Sequence, residues 1–219
     1  IWYGIEPLVG ADPKAGLELA KGSKMPKVTE FIYRRMGAEE AGRTGLLTLA
    51  ADSKDAAMRD ALLDTVIKSA HAGNKISTPE NWVALRAKVV SALAESKEPS
   101  TQVEATLLEL EAFMGIEEAK QHFRALLTNA SANASERLAA LTLLLNVRDI
   151  ASAPTLVSLI KSDDKVLTRH AVQGLATLAH PEMAEVLVAK FKAFDASTQL
   201  DAVNTWPPQL RERKHYSPP

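Results

Sequence analysis

Laid against itself with a shift of 31 residues, the carboxyl-terminal half of the chain repeats. Ala140, Ala171 and Ala202 fall at one position, and Leu144, Leu175 and Trp206 at another. Val147 then falls on Leu178, Leu156 on Leu187, and Ile160 on Phe191. A small residue at a fixed place lets two helices approach closely, and large apolar ones fill the groove between them. A unit of this length holds two helices and cannot cover its own apolar faces. It must stack on its neighbours in sequence, so the repeat predicts an α-solenoid. Upstream the period drifts, because the helices expected over 54–72 and 79–95 are long.

Punctuation supports the same reading. Asp12-Pro13, Thr78-Pro79-Glu80 and His180-Pro181-Glu182 read as a cap followed by Pro at the first helical position, where its missing N–H costs nothing. Thr101 and Glu104 have capping-box spacing, and Gly22, Gly37, Gly73 and Gly115 fall where helices should stop. The predicted helices are 13–21, 26–36, 39–51, 54–72, 79–95, 101–114, 116–128, 135–148, 153–161, 164–179, 181–194 and 197–206. Over 164–179, Leu167, Ala171, Leu175 and Leu178 share one face, and Asp164, Lys165, Arg169 and Gln173 fall mostly elsewhere. The fold expected is all-α, a right-handed α–α superhelix of about six helix pairs over 1–206. A Pro-rich, mildly basic tail or linker follows over 207–219.

Composition excludes several function classes. The 219 residues contain no Cys, so disulfides, thiolate metal sites, covalent haem attachment and a Cys nucleophile are excluded. With 26 basic and 27 acidic side chains the net charge is −1, so no global field draws nucleic acid or an anionic membrane. No apolar run reaches the ~18 residues of a membrane span. The start at Ile1, without Met or a signal-like stretch, reads as a fragment or a processed product.

The stretch from Leu156 through Leu159, Asp163, Asp164, Leu167, Arg169, Ala171 and Leu175 to Leu178 resembles the HEAT repeat. That family closes its first helix with paired leucines and places Asp in the turn. A basic residue, Ala and Leu then follow at set spacing in the second helix. Arg137, Ala140 and Leu144 fit the second-helix pattern one unit earlier, whereas Thr168 stands where the family often has Arg, with Arg169 one position late. The amino end carries a second resemblance, through Ile1-Trp2-Tyr3-Gly4-Ile5-Glu6-Pro7-Leu8, Asp12-Pro13, Ser23-Lys24-Met25-Pro26 and Phe31-Ile32-Tyr33-Arg34-Arg35. It is similar to the HEAT-like region of large exported planctomycete-type proteins, between a dehydrogenase-like β-propeller and a c-type cytochrome domain. That resemblance implies a bacterial, extracytoplasmic multidomain parent, and it supplies no catalytic residue for these positions.

No catalytic constellation accompanies the repeats. His71, His122, His170, His180 and His215 show no ligand spacing; His170 with Arg169, Asp163 and Asp164 is the nearest approach to an ion site. Gly-rich phosphate loops and nucleophile elbows are missing. Asn129-Ala-Ser131 and Asn133-Ala-Ser135 read as a flexible polar turn. Charge is spread unevenly. Glu98, Glu104, Glu109, Glu111, Glu117 and Glu118 run without a base between them, and Lys14, Lys21, Lys24, Lys27, Arg34 and Arg35 face only Glu18 and Glu30. Complementary patches of this kind steer the docking of a neighbouring domain. Trp2 and Tyr3, placed before the first helix, could anchor such a domain.

The function expected is a non-catalytic scaffold or protein-binding module without a cofactor, holding flanking domains or another protein. The partner-binding candidates are Trp2, Tyr3, Arg34, Arg35, Glu104, Glu109 and Glu111. Two alternatives stand beside it. One is a HEAT-fold nucleic-acid-binding enzyme, against which the charge argues. The other is a HEAT-like lyase or tetrapyrrole-handling protein, suggested by repeat similarity alone.

Overall fold

A computed structural model of the chain describes residues 2–96, 101–160, 164–178 and 183–205. Among these residues there are thirteen α-helices and no strand, so the all-α expectation holds. The chain divides into two compact units, Ile1–Ala119 and Lys120–Pro219. Trp206, the tail 207–219, Glu98, Asp163 and the His180-Pro181-Glu182 cap lie outside the described residues.

The first unit holds α1 (Trp2–Ala11), α2 (Pro13–Gly22), α3 (Pro26–Gly37), α4 (Glu40–Asp52), α5 (Ala56–His71), α6 (Trp82–Ser96) and α7 (Thr101–Phe113). Helices α1, α3, α5 and α7 each pack on the next in one row, and α2, α4 and α6 form a second row against it. From α1 to α4 each helix meets the one after it and the one after that, as stacked hairpins require. Between the rows lie Ile32, Met36, Leu46, Leu62, Leu63, Val66, Leu107 and Leu110, all buried. Burying one such side chain stabilises by about 1.5–3 kcal/mol. The α3–α4 corner is too tight for a side chain: a Cβ on Gly42 would lie 2.1 Å from the Met36 carbonyl oxygen. Gly73 takes φ +90° one residue beyond the cap of α5, where a residue with a Cβ would be strained.

Helix α1 is a correction to the sequence reading, which left Trp2 and Tyr3 ahead of the first helix and read no helix through Pro7. Pro7 does remove one helical N–H, but Trp2, Ile5 and Val9 pack on the core, and that burial outweighs a single lost bond. Two further boundaries move. Helix α6 begins at Trp82, because Pro79 opens a turn in which the Trp82 N–H donates to the Pro79 carbonyl (2.9 Å). The helix expected over 181–194 is α12, described over Met183–Lys190, and its carboxyl end moves: a 3₁₀ turn follows at Phe191–Ala193, while its expected start lies outside the described residues.

The second unit contains most of α8 (Glu117–Thr128), then α9 (Ala134–Asn146), α10 (Ala153–Ile160), α11 (Lys165–Thr177), α12 and α13 (Ala196–Asn204). Helices α9, α11 and α13 pack in series, with α10 and α12 against α11. Ala140, Ala171 and Ala202 are all fully buried in its core, together with Leu144, Leu175, Leu156 and Leu187. The caps keep the period as well. Asn133, Asp164 and Asp195 each accept the backbone N–H three residues on, from Glu136 (2.8 Å), Leu167 (3.0 Å) and Thr198 (2.8 Å). Four residues past each cap, a side chain reaches back to the end of the preceding helix. Arg137 Nε donates to the Leu127 carbonyl (3.0 Å), Thr168 Oγ1 to that of Leu159 (3.0 Å), and Gln199 Nε2 to that of Phe191 (3.1 Å). Thr168 therefore makes the clasp itself, and the neighbouring Arg169 instead ties α11 to α13 through Asp201 (2.5 Å).

The first unit repeats this clasp once and leaves it open once. Arg43, four residues after Glu39 at the start of α4, donates to the carbonyls of Gly37 (2.9 Å) and Lys75 (2.6 Å). Arg59 holds the same place after the Asp55 cap of α5, yet its buried Nε and Nη2 have no partner.

Candidate protein-docking surface

The acidic candidates on α7 separate once the helix is packed. Glu104 is exposed, as docking requires. Glu109 is half-buried and meets His71 Nε2 of α5 at 2.7 Å, while the His71 ring stands edge-on to Phe113 at 4.9 Å. Glu111 is only 8% exposed. Its Oε1 accepts from Trp82 Nε1 (3.0 Å) and Arg86 Nε (2.9 Å), both on α6. Glu109 and Glu111 lie two residues apart on a helix and so point to different sides. They bind α7 to its neighbours, and the carboxylates are spent inside the unit.

Three of the six bases on this stretch are matched by carboxylates one helical turn away. Lys21 pairs with Glu18 (2.9 Å), Lys27 with Glu30 (2.7 Å) and Arg35 with Glu39 (2.7 Å). The Lys27 ammonium holds the Glu30 carboxyl below its ordinary range by a hydrogen bond, and it also lies 5.9 Å from the Phe31 ring centre. Arg35 is placed rather than free: its guanidinium lies so close over Gly10 of α1 that a Cβ there would sit 2.2 Å from Nη2. Arg34 and, on the same stretch, Lys14 and Lys24 are exposed and make no ion pair among the described residues. Between α3 and α5 an open depression of about 440 Å³ is lined by Tyr33, Thr29, Ala61 and Thr65, with Lys24 and Glu30 at its rim. Burial raises the Tyr33 hydroxyl above its ordinary pKa, so it remains a neutral donor there.

The aromatic pair at the amino end divides between two roles. Trp2 packs inward, its ring 5.4 Å from that of Phe31 on α3 and tilted 46° to it. Tyr3 points away, 89% exposed, and Leu8, further round the same helix, is 67% exposed. Gly4, Pro7 and Ala11 complete that outer face, which carries no charged residue. Leu8 and Pro7 were not singled out in the sequence. The signal was available, because 3, 4, 7, 8 and 11 follow helical spacing without a charge.

Elsewhere titratable groups are used to hold the fold. Asp149, buried, accepts from Arg124 Nη1 (2.7 Å) with Lys120 Nζ at 3.8 Å. His170 Nδ1 meets its own helix at the Val166 carbonyl (2.8 Å), so it is not turned toward Asp164 as a ligand. No group of three or more His, Asp or Glu among the described residues could hold a metal ion. No helix among them is long and apolar enough to cross a membrane. Neither protein-family models nor curated proteins give a match to this chain.

Proposed function

We propose that the chain is a HEAT-like helical scaffold that binds a flanking domain or another protein, within a larger exported protein of the kind its amino end resembles. The observation that carries this reading is the uncovered apolar face of α1, with Tyr3 and Leu8 in water. Soluble chains seldom leave such a face open unless something docks on it. The charged side chains support the reading by their use. Glu109, Glu111, Asp149 and Asp201 are consumed in helix-to-helix contacts rather than gathered in a cleft.

A tagged protein recovered from its own cells should retain one polypeptide at a near-equal ratio. An apolar contact survives raised salt, whereas docking by exposed charges is screened. Retention in high salt, and its loss on Tyr3→Asp with Leu8→Asp, is the expected result. Absence of a stoichiometric partner when the chain is expressed apart from its flanking domains, or retention unaffected by the double substitution, overturns the proposal.

A further inference from the structure

We infer that the depression between α3 and α5 takes an acidic residue of a partner polypeptide, its carboxylate meeting the Tyr33 hydroxyl and the Lys24 ammonium. This rests on the reading of the chain as a protein-binding scaffold and adds a second contact, separate from α1. The polar side chains that line the depression are engaged, two excepted. Ser23 Oγ donates to the Met25 carbonyl and accepts the Met25 N–H (3.2 Å). The hydroxyls of Thr29 and Thr65 each donate one turn back, to the carbonyls of Met25 (3.3 Å) and Ala61 (2.8 Å). Glu30 Oε2 accepts from Lys27 Nζ (2.7 Å). The Tyr33 hydroxyl and the Lys24 ammonium have no partner among the described residues. Both are donors, so what binds here supplies an acceptor. Burial keeps the phenol protonated, and it therefore donates to an anion rather than repelling one.

The surrounding charge says which acceptor. Lys21, Lys27 and Lys68 lie near enough to act on Tyr33 or Glu30, and each is held by a carboxylate, of Glu18 (2.9 Å), Glu30 (2.7 Å) and Asp64 (2.6 Å). Lys24 on the rim and Arg34, which also acts on Glu30, are left without one. The surplus is positive, and its complement is a carboxylate rather than an amide. The remaining walls are Pro26, Ala61 and the Tyr33 ring, so an apolar residue beside the carboxylate finds its own surface. Ala61 is exposed, and its small side chain leaves the room. The depression is open, whereas pockets for free small molecules enclose most of the ligand. A side chain presented by a polypeptide needs no such enclosure, because its backbone continues into contacts elsewhere.

The full chain, isotope-labelled for NMR, is titrated with the blocked peptide acetyl-Ala-Leu-Glu-Leu-Ala-amide and with the same peptide carrying Gln for Glu. The Glu peptide should shift the Ala61 and Thr65 amides and the Tyr33 ring, approaching saturation by about 10 mM. The Gln peptide, and the Glu peptide on Lys24→Glu, should bind about tenfold more weakly, and Tyr33→Phe should weaken binding several-fold. Ala61→Leu, which fills the depression from an exposed position, should abolish the shifts. Lys14→Glu, which changes an exposed base outside the lining, should leave them as they are. Equal binding of the two peptides, no shift up to that concentration, binding indifferent to Ala61→Leu, or equal weakening by Lys14→Glu overturns the inference. Tighter binding of phenylacetate than of the Glu peptide makes this a site for a free acid and overturns it too. The titration reads the depression alone, so its failure leaves the α1 contact standing. A chain with Tyr3→Asp and Leu8→Asp that has lost its partner should still bind the Glu peptide.

Discussion

Replacing Arg59 by Met should make the first unit more stable. Arg59 is 1% exposed, and its Nε and Nη2 are buried without a hydrogen-bond partner. Its counterparts reach the end of the preceding helix, Arg43 through Nη1 to the Gly37 carbonyl and Arg137 through Nε to that of Leu127, although the Nε of Arg43 is itself buried without a partner. Each orphaned donor costs about 1–3 kcal/mol, and exchanging a buried charge for an apolar side chain of similar length is neutral to stabilising by about 1–4 kcal/mol. Met keeps the stem contacts and removes the desolvated head. Taking the lower end for both donors gives a gain of about 2 kcal/mol, or a Tm rise of roughly 4–8 °C for a chain of this size. Thermal and urea unfolding followed by far-UV circular dichroism measure it, with unchanged urea m-value as the control on a native-like state. Thr168→Val supplies the contrast, since that donor is bonded and its loss should cost about 1 kcal/mol. A lower midpoint for Arg59→Met refutes the reasoning, because it means the guanidinium is satisfied in solution.

Other consequences are open to simpler measurements. Glu111→Lys leaves Arg86 and Trp82 without their shared acceptor and buries a like charge, so it should cost about 3 kcal/mol or more; Glu109→Lys breaks only the partly exposed His71 contact and should cost under about 1 kcal/mol in the same urea titration. Gly42→Ala forces a Cβ onto the Met36 carbonyl and should destabilise by about 1–3 kcal/mol or more, read as a fall in Tm. The Asp195 carboxyl is held down to about 2, chiefly by the Thr198 backbone N–H and then by the Ser197 hydroxyl. Because the folded value lies below the ordinary 3.8, the stability it lends α13 is complete above about pH 4 and is lost as pH falls toward 2. An NMR acid titration of the Thr198 amide should show that window, and Asp195→Asn should abolish it.

The 31-residue shift made the second unit readable, because the alanines and leucines that it superposes are the ones buried together in the core. Most helix ends were legible from Gly, Pro and Asx residues, whose backbone preferences act locally. The amino end was not. Helix α1 contains Pro7 and two glycines and draws its stability from Trp2, Ile5 and Val9 against a row that only the folded chain supplies. Charge patterning misled in a related way. A string of glutamates shows that the stretch is acidic, but which of them meets water depends on the angle between successive side chains and on what packs there. Glu104 stays outside, Glu111 turns in, and His71, Trp82 and Arg86 arrive from 25 or more residues away to receive Glu109 and Glu111.

The back-reaching donors of the second unit find their acceptors eight to ten residues upstream, so donor and acceptor always belong to the same pair of successive helices. Excising residues 134–164 joins Asn133 to Lys165, which leaves a side chain able to close the helix start and brings the Thr168 hydroxyl to the register where Arg137 met Leu127. Splicing such a block in has the same outcome. The array can therefore change length by whole hairpins with its cap and clasp intact, the excision taking away only what crosses its edges, such as the Asp149 acceptor of Arg124.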